Sequence, residues 1–258
     1  KRETSNLERV KDFKHKIKWF NVEMLDFDEI ISSYSVEGII HCATDYGRKQ
    51  FNPIHTIETN LILPLKLLHA AANNNVLVFI NTDTVLDKRV DIYSLSKRQF
   101  SEWLETYSND ILTINVALEH FYGPFDNDSK FVSYVIRKML GNEDSIDFTL
   151  GLQKRNFIYI EDVVDAFIVL LNNINKLDNS FHNFEAGTES TITIKDFVCL
   201  VKKLCNNNTT DLNFGAINYR ENEVMNTNTN IDKLKSLGWF PRFSLEDGLK
   251  KTIDLEKN

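Results

Sequence analysis

The sequence predicts an α/β protein: a parallel sheet covered by helices on both faces, followed by a smaller lobe. Short apolar runs alternate with helical patterns through the first two thirds of the chain, the order that builds a parallel sheet. Beyond about residue 183 the elements shorten and the pattern changes. The 258 residues, 42% hydrophobic and 26% charged, are enough for a large core or for two lobes sharing a cleft.

The elements follow in order. Ser5, Asn6, Leu7 and Glu8 have capping-box spacing, which predicts a helix before an extended run at 17–22. Asp26 can cap a helix near 28–34, and an apolar run follows at 38–42. A long helix is predicted over 53–73, with Leu61, Leu65, Leu68 and Ala72 on one face. A strand at 76–81, a helix carrying Tyr93 and Lys97, and a strand at 111–116 complete this part. Ligands of such sheets gather at the carboxyl ends of the strands, here 41–48, 82–84 and 117–123. A further run at 157–160 leads into a helix from Glu161. The last third predicts a Thr193-capped helix to Cys205, a short helix at 230–236 stopped by Gly238, and a final helix after Ser244.

Chemistry is concentrated in three residues. Tyr93 and Lys97 are four apart, so one helix face carries both, and Thr82 ends the strand eleven residues before the tyrosine. A free phenol has a pKa near 10, and a neighbouring ammonium lowers it. A threonine hydroxyl can hold a substrate oxygen against that phenol, and positioned acid–base transfer contributes roughly 10²–10⁴ in rate. The triad therefore suggests hydride and proton transfer at a carbonyl or alcohol carbon. Spacing alone is weak: Tyr134 and Lys138 repeat it, but the residue eleven before Tyr134 is Gly123, with no strand-end hydroxyl. That second pair reads as a surface helix pair.

Composition narrows the classes. A net charge of −7 without a basic block argues against non-specific nucleic-acid binding. No apolar stretch approaches the ~20 residues that span a bilayer, and no signal peptide opens the sequence, so no membrane partner is expected. Cys42, Cys199 and Cys205 form neither a CxxC pair nor a disulfide framework, which suits a reducing cytoplasm. The six histidines lack metal-site spacing, and no structural metal is expected. None of the nine glycines is spaced as GxGxxG. Either the fold binds no dinucleotide or the sequence starts part-way through a domain. The helix cap at Ser5, without a strand before it, favours the second expectation.

Several segments together resemble the extended short-chain dehydrogenase/reductase family, the NAD-dependent epimerases and dehydratases. They are Val36 to Asn60, the Thr82/Tyr93/Lys97 triad, Leu118 to Pro124 and Gly151 to Ile160. Within that family they most resemble nucleoside-diphosphate-sugar 4-ketoreductases of the CDP-abequose and CDP-paratose synthase type. The resemblance implies a Rossmann-like cofactor domain over 1–121 and 152–182, lacking the N-terminal β-α-β unit with its glycine loop, and a substrate lobe over 122–151 and 183–258. It makes Thr82 the residue that orients the substrate carbonyl and Tyr93 the general acid. Lys97 would lower the tyrosine pKa and hold the nicotinamide ribose. His41, Ala43 and Thr44 would end the strand beneath the cofactor, and Asn60 would support the site from the next helix. Arg2, after Lys1, falls beside the adenosine ribose, where a cation suits a 2′-phosphate; NADP(H) is therefore expected over NAD(H).

For the sugar nucleotide, the resemblance implies Arg155 and Arg220 at the diphosphate, with Thr84 and His120 nearby. Guanidinium forks match phosphate oxygens. Asn156 replaces the aspartate of the family's G-x-Q-x-R-D-F-I stretch, and His120 replaces a common asparagine. Dehydratases carry Thr-Asp-Glu at the strand end; Thr82-Asp83-Thr84 lacks the glutamate base, which disfavours dehydration. Reduction is expected over 4-epimerisation, which needs the same residues, and a non-catalytic sugar-nucleotide binder is the reading from another class. Relatives pair as homodimers through the two helices at 53–73 and around Tyr93.

Overall fold

A computed structural model describes residues 1–47 and 52–257. Arg48, the last residue of the first expected strand end, lies outside them.

The N-terminal expectation fails. Residues Glu8–Val10, Lys14–Lys16 and Val22–Met24 form single 3-10 turns, and 17–21 are not a strand. The capping box does not close: Asn6 Oδ1, not the Ser5 hydroxyl, accepts from Glu8 N (2.8 Å), while Ser5 Oγ accepts from Arg2 N (3.0 Å). None of these turns buries a residue, so no apolar face repays the ordering of a longer helix.

The rest follows the expected alternation. Helix α1 (Phe27–Ser33) is capped by Asp26, and strand β1 (Gly38–His41) follows. Asn52 caps and Pro53 opens a continuous helical stretch: α2 (Pro53–Ile57), a π-helical turn (Glu58–Ile62) and α3 (Leu63–Asn73). Then come β2 (Val78–Thr84), α4 (Ile92–Thr106), β3 (Leu112–Leu118), β4 (His120–Tyr122), α5 (Phe131–Leu140) and β5 (Ser145–Phe148). The chain continues through β6 (Lys154–Arg155), β7 (Phe157–Tyr159), α6 (Ile160–Asn172) and β8 (Phe181–Ala186). It ends with β9 (Ile192–Thr193), α7 (Ile194–Leu204), β10 (Asp211–Phe214), α8 (Asp232–Ser236) and α9 (Leu245–Glu256).

Strands β1-β2-β3-β8 form one parallel sheet in that order. Alternation along β2 sends Val78 and Ile80 to one face, against Val163, Ala166 and Leu170 of α6, and Phe79 to the other, against Leu68, Phe100 and Leu104. Leu61, Leu65 and Ala72 also pack on that second cluster, so the apolar face of the long helix is spent inside the monomer. A third cluster joins α5, α7, α9, β5 and β7 through Val135, Ile136, Phe148, Phe157, Phe197 and Ile253. The run at 157–160 does not extend the main sheet: β7 pairs with β4 instead. Strand β8 spans the lobe boundary drawn at 182/183 and pairs with β3 along its whole length. Among the described residues no helix is long and apolar enough to cross a membrane, and no group of His, Cys, Asp and Glu could hold a metal.

Candidate active site

Helix α4 begins where the chain returns from the carboxyl end of β2. Asp91 and Ser94 close a reciprocal capping box (Ser94 N to Asp91 Oδ1 2.8 Å; Asp91 N to Ser94 Oγ 3.2 Å), which fixes the first turn and with it Tyr93. A cavity of about 540 Å³ opens there, lined by Tyr93, Asp83 and Thr84 on one side and by Glu119, His120, Arg155 and Arg220 among others. The Tyr93 ring packs on Tyr46, with centroids 4.8 Å apart. Burial raises the phenol above its ordinary value, Tyr46 and Asp83 add to this, and a hydrogen bond with the Thr84 side chain opposes it. The only influence that opposes the rise is that hydrogen bond; Lys97 is not among the groups that shift this phenol, contrary to the expectation from spacing.

Lys97 lies one turn further on, fully buried, with no hydrogen-bond partner for its Nζ among the described residues. Burial lowers its pKa, while Asp83 pulls the other way. Beneath it runs a row of polar side chains in register across all four strands: His41, Asn81, Asn115 and Asn183. His41 Nδ1 donates to Asn81 Oδ1 (3.0 Å), Asn81 Nδ2 to Asn115 Oδ1 (2.8 Å), and Asn115 Nδ2 to Asn183 Oδ1 (2.9 Å) and Asp83 Oδ2 (2.8 Å). His41 therefore ends its strand as expected, but its ring is a core ring, beside Phe79 and Phe100, with a pKa lowered to about 4 by burial. Its Nε2 is also buried without a hydrogen-bond partner among the described residues. Thr82 does not share the cavity wall: its hydroxyl donates to the His41 carbonyl (3.1 Å), and Thr84 is the threonine that meets Tyr93.

Asn60 sits in the π-helical turn and is fully buried. Its amide accepts from Asp45 N (2.7 Å) and donates to Asp45 O (2.8 Å) and Ser96 Oγ (3.0 Å), binding the loop after β1 to α4. Extra turns of this kind recur at functional sites. Thr44 Oγ1 donates to Asn60 Oδ1 (3.3 Å), and Ala43 is exposed beside it. Arg2 reaches Thr59 Oγ1 (3.3 Å), one residue from Asn60, so the expected cofactor residues Arg2, Thr44 and Asn60 converge. A dinucleotide fits this donor set: an unpartnered buried ammonium suits ribose hydroxyls, and an exposed cation suits phosphate.

Across the cavity, Arg155 is buried and donates to Val224 O (2.6 Å) and Lys154 O (2.7 Å), with Glu223 paired to its other terminal nitrogen. Glu223 also takes Arg220 Nε (3.2 Å), whose side chain is 70% exposed, so one carboxylate gathers both arginines. Burial lowers the Arg155 pKa. Asn156 uses what an aspartate lacks: its Nδ2 donates to Thr188 O (2.5 Å) while Oδ1 accepts from Thr188 N (2.8 Å). Sequence reasoning missed Glu119, Asn115 and Glu223. The asparagine row had a legible signal, since Asn81 and Asn115 each stand inside an apolar run.

The chain is 35% identical to a CDP-abequose synthase of Salmonella typhimurium over 91% of this chain and 81% of that protein. It is 29% identical to the Yersinia pseudotuberculosis CDP-abequose synthase over 80% of this chain and 74% of that one. Among solved structures, a UDP-N-acetylglucosamine 4-epimerase from Methanobrevibacter ruminantium superposes with a TM-score of 0.83 at 16% identity, covering 98% and 87% of the two chains. A UDP-glucose 4-epimerase from Thermotoga maritima gives 0.79 at 23% identity, covering 92% and 81%. At these identities the structures share the Rossmann fold. A family model, the NAD dependent epimerase/dehydratase family, matches residues 1–185, and with the abequose synthase likeness it places this chain in that family.

Proposed function

We propose that the protein reduces the C4 ketone of a nucleoside-diphosphate-linked deoxy-4-ketohexose, as part of deoxy-sugar assembly, with NADP(H) preferred over NAD(H). The observation that carries this reading is Tyr93 on the cavity wall, one helical turn from a buried ammonium with no hydrogen-bond partner among the described residues, with a threonine rather than a carboxylate at position 84. The likeness to CDP-abequose synthases supports the substrate class.

When bound, a reduced nicotinamide supplies the hydride. Lys97 holds the ribose hydroxyls, and its ammonium then lies close enough to favour proton loss from Tyr93. Tyr93 protonates the oxygen that gains charge at C4, and the hydroxyl of Thr84, the threonine on the cavity wall, steadies that oxygen. Arg155 and Arg220 exchange Glu223 for the diphosphate, whose oxygens accept charge-assisted bonds. Arg2 meets the 2′-phosphate, the basis for preferring NADP(H). Asn60 keeps the loop carrying Ala43 and Thr44 beneath the cofactor. We also propose the division into a cofactor domain and a substrate lobe with the cleft between them. Homodimerisation through α2–α3 and α4 is supported by exposed Ile54, Ile57, Ile62, Leu95 and Trp103 on those elements.

The test is spectrophotometric. Full-length protein, NADPH and a CDP-linked 4-keto-6-deoxyhexose should together deplete the reduced nicotinamide absorbance, while omission of the sugar nucleotide leaves it constant. No depletion, with tightly held NAD and interconversion of two sugar nucleotides, would make the protein a 4-epimerase.

A further inference from the structure

Glu119 follows the central strand β3 directly, and its carboxylate is fully enclosed at the edge of the cavity. Its main chain is anchored by Glu119 N donating to Ala186 O (3.0 Å). Its two oxygens are spoken for by different partners. Thr229 Oγ1 donates to Oε1 (2.5 Å), and His120 Nδ1 lies 3.2 Å from Oε2. Room for this arrangement depends on Gly187: a Cβ there would stand 3.1 Å from Glu119 Cγ and 3.0 Å from Thr229 Cγ2. Buried carboxylates are costly unless each oxygen is satisfied, so a carboxylate kept here at the cavity edge has a consequence for the ring it holds.

We infer that Glu119 is a positioning residue that makes His120 an acceptor for a sugar hydroxyl of the bound nucleotide sugar, an inference that rests on the nucleotide-sugar reading above. A carboxylate can only accept, so it selects the tautomer with hydrogen on Nδ1. The remaining ring nitrogen, Nε2, then carries a lone pair and no proton. A lone pair recognises a donor. Phosphate oxygens and a ketone oxygen have no proton to give, whereas sugar and ribose hydroxyls do. An asparagine at this position could donate to phosphate; a carboxylate-held histidine is set for a hydroxyl. Phosphate recognition is left to the guanidinium groups of Arg155 and Arg220, which line the same cavity. Phe157, whose ring centroid lies 5.8 Å from that of His120, supports the imidazole edge-on.

Calorimetric titration with CDP-glucose and with CDP separates the sources of the hydroxyl. Glu119→Gln places an amide beside Nδ1, which can donate and so reverse the tautomer. We expect Glu119→Gln and His120→Phe each to weaken CDP-glucose binding roughly three- to tenfold, the worth of one hydrogen bond, with CDP affinity within about twofold of wild type. The double variant should bind no more weakly than His120→Phe alone, because Glu119 acts through the ring. Thr229→Val, which frees one carboxylate oxygen, should show a smaller loss with the same selectivity, and it serves if Glu119→Gln does not fold. Equal losses for CDP and CDP-glucose, additive losses in the double variant, or unchanged CDP-glucose affinity would each overturn the assignment. Wild type binding neither ligand would instead overturn the nucleotide-sugar reading itself, and this inference with it.

Discussion

Two helices carry the same Tyr-x-x-x-Lys spacing and put it to different uses. On α4, Tyr93 is 9% exposed and Lys97 1%, at the carboxyl end of a central strand of the sheet. On α5, Tyr134 is 39% exposed at the cavity rim. Lys138 lies 5.9 Å from the centroid of its ring and pairs with Glu143 at 3.0 Å. Helical geometry gives both pairs a shared face. What differs is solvent. In α5 water and Glu143 satisfy the ammonium, so it has nothing left to offer. In α4 the ammonium is desolvated and has no hydrogen-bond partner among the described residues, which is where a perturbed group points to function. Spacing therefore makes a pair possible, and burial beside a strand end is what distinguishes the α4 pair.

The largest expected effect breaks the comparison most directly. Tyr93→Phe should lower kcat by about 10²–10⁴ with KM little changed, because the removed proton acts only as charge develops on the substrate oxygen. Tyr134→Phe should stay within about twofold in kcat. Steady-state kinetics on the 4-keto sugar nucleotide checks both. A comparable fall in the two variants would show that rim position, not strand-end position, selects the working tyrosine.

The fold was legible where periodicity and caps agreed. Asp26, Thr193, Ser244 and Gly238 each stand where the sequence puts them, because side-chain capping and left-handed backbone are local chemistry. Ser5 was a false signal, since a cap without an apolar face behind it nucleates nothing stable. At the site, Tyr93 and Lys97 were legible as a pair. The exchange of Thr82 for Thr84 was not, because which strand-end hydroxyl meets the phenol depends on how the loop at 85–91 returns to α4. Glu119 was hidden for a related reason. Its partner Thr229 is 110 positions away, and only the packing against Gly187 brings them together.

The polar row beneath α4 sharpens the contrast through pH. His41 is neutral and buried, and its pKa of about 4 is held there first by burial and also by repulsion from Lys97. A folded-state value below the unfolded 6.5 means that the unfolded chain takes up the proton first. Stability is therefore greatest above pH 6.5 and falls as pH drops towards 4, by roughly 3 kcal/mol from this residue. Urea denaturation of wild type and His41→Gln across that window checks the sign. The variant should lose most of this slope, because glutamine keeps a donor for Asn81 but does not titrate. The exposed α5 pair should show no matching change, and Lys138→Met should leave the slope as it is.

The smallest effect distinguishes the two lysines by sign. Lys97→Met removes a charge whose burial is uncompensated by any hydrogen bond among the described residues, at a position surrounded by protein. Functional sites hold such groups at a cost to stability, so this variant should lose turnover while gaining about 0.5–2 kcal/mol against urea at neutral pH. Lys138→Met removes half of an exposed ion pair, which should cost between 0 and about 1 kcal/mol and leave turnover near wild type. Paired urea melts and kinetics on the two variants read both quantities. If Lys97→Met were instead destabilised, Asp83 would be the reason. Its carboxylate is anchored by Asn115 and raises the Lys97 pKa, so losing the ammonium would leave that negative charge without its counterion. Asp83→Asn added to Lys97→Met would then restore stability, which would make the lysine's role in the fold an ion-pair role and remove the contrast with α5.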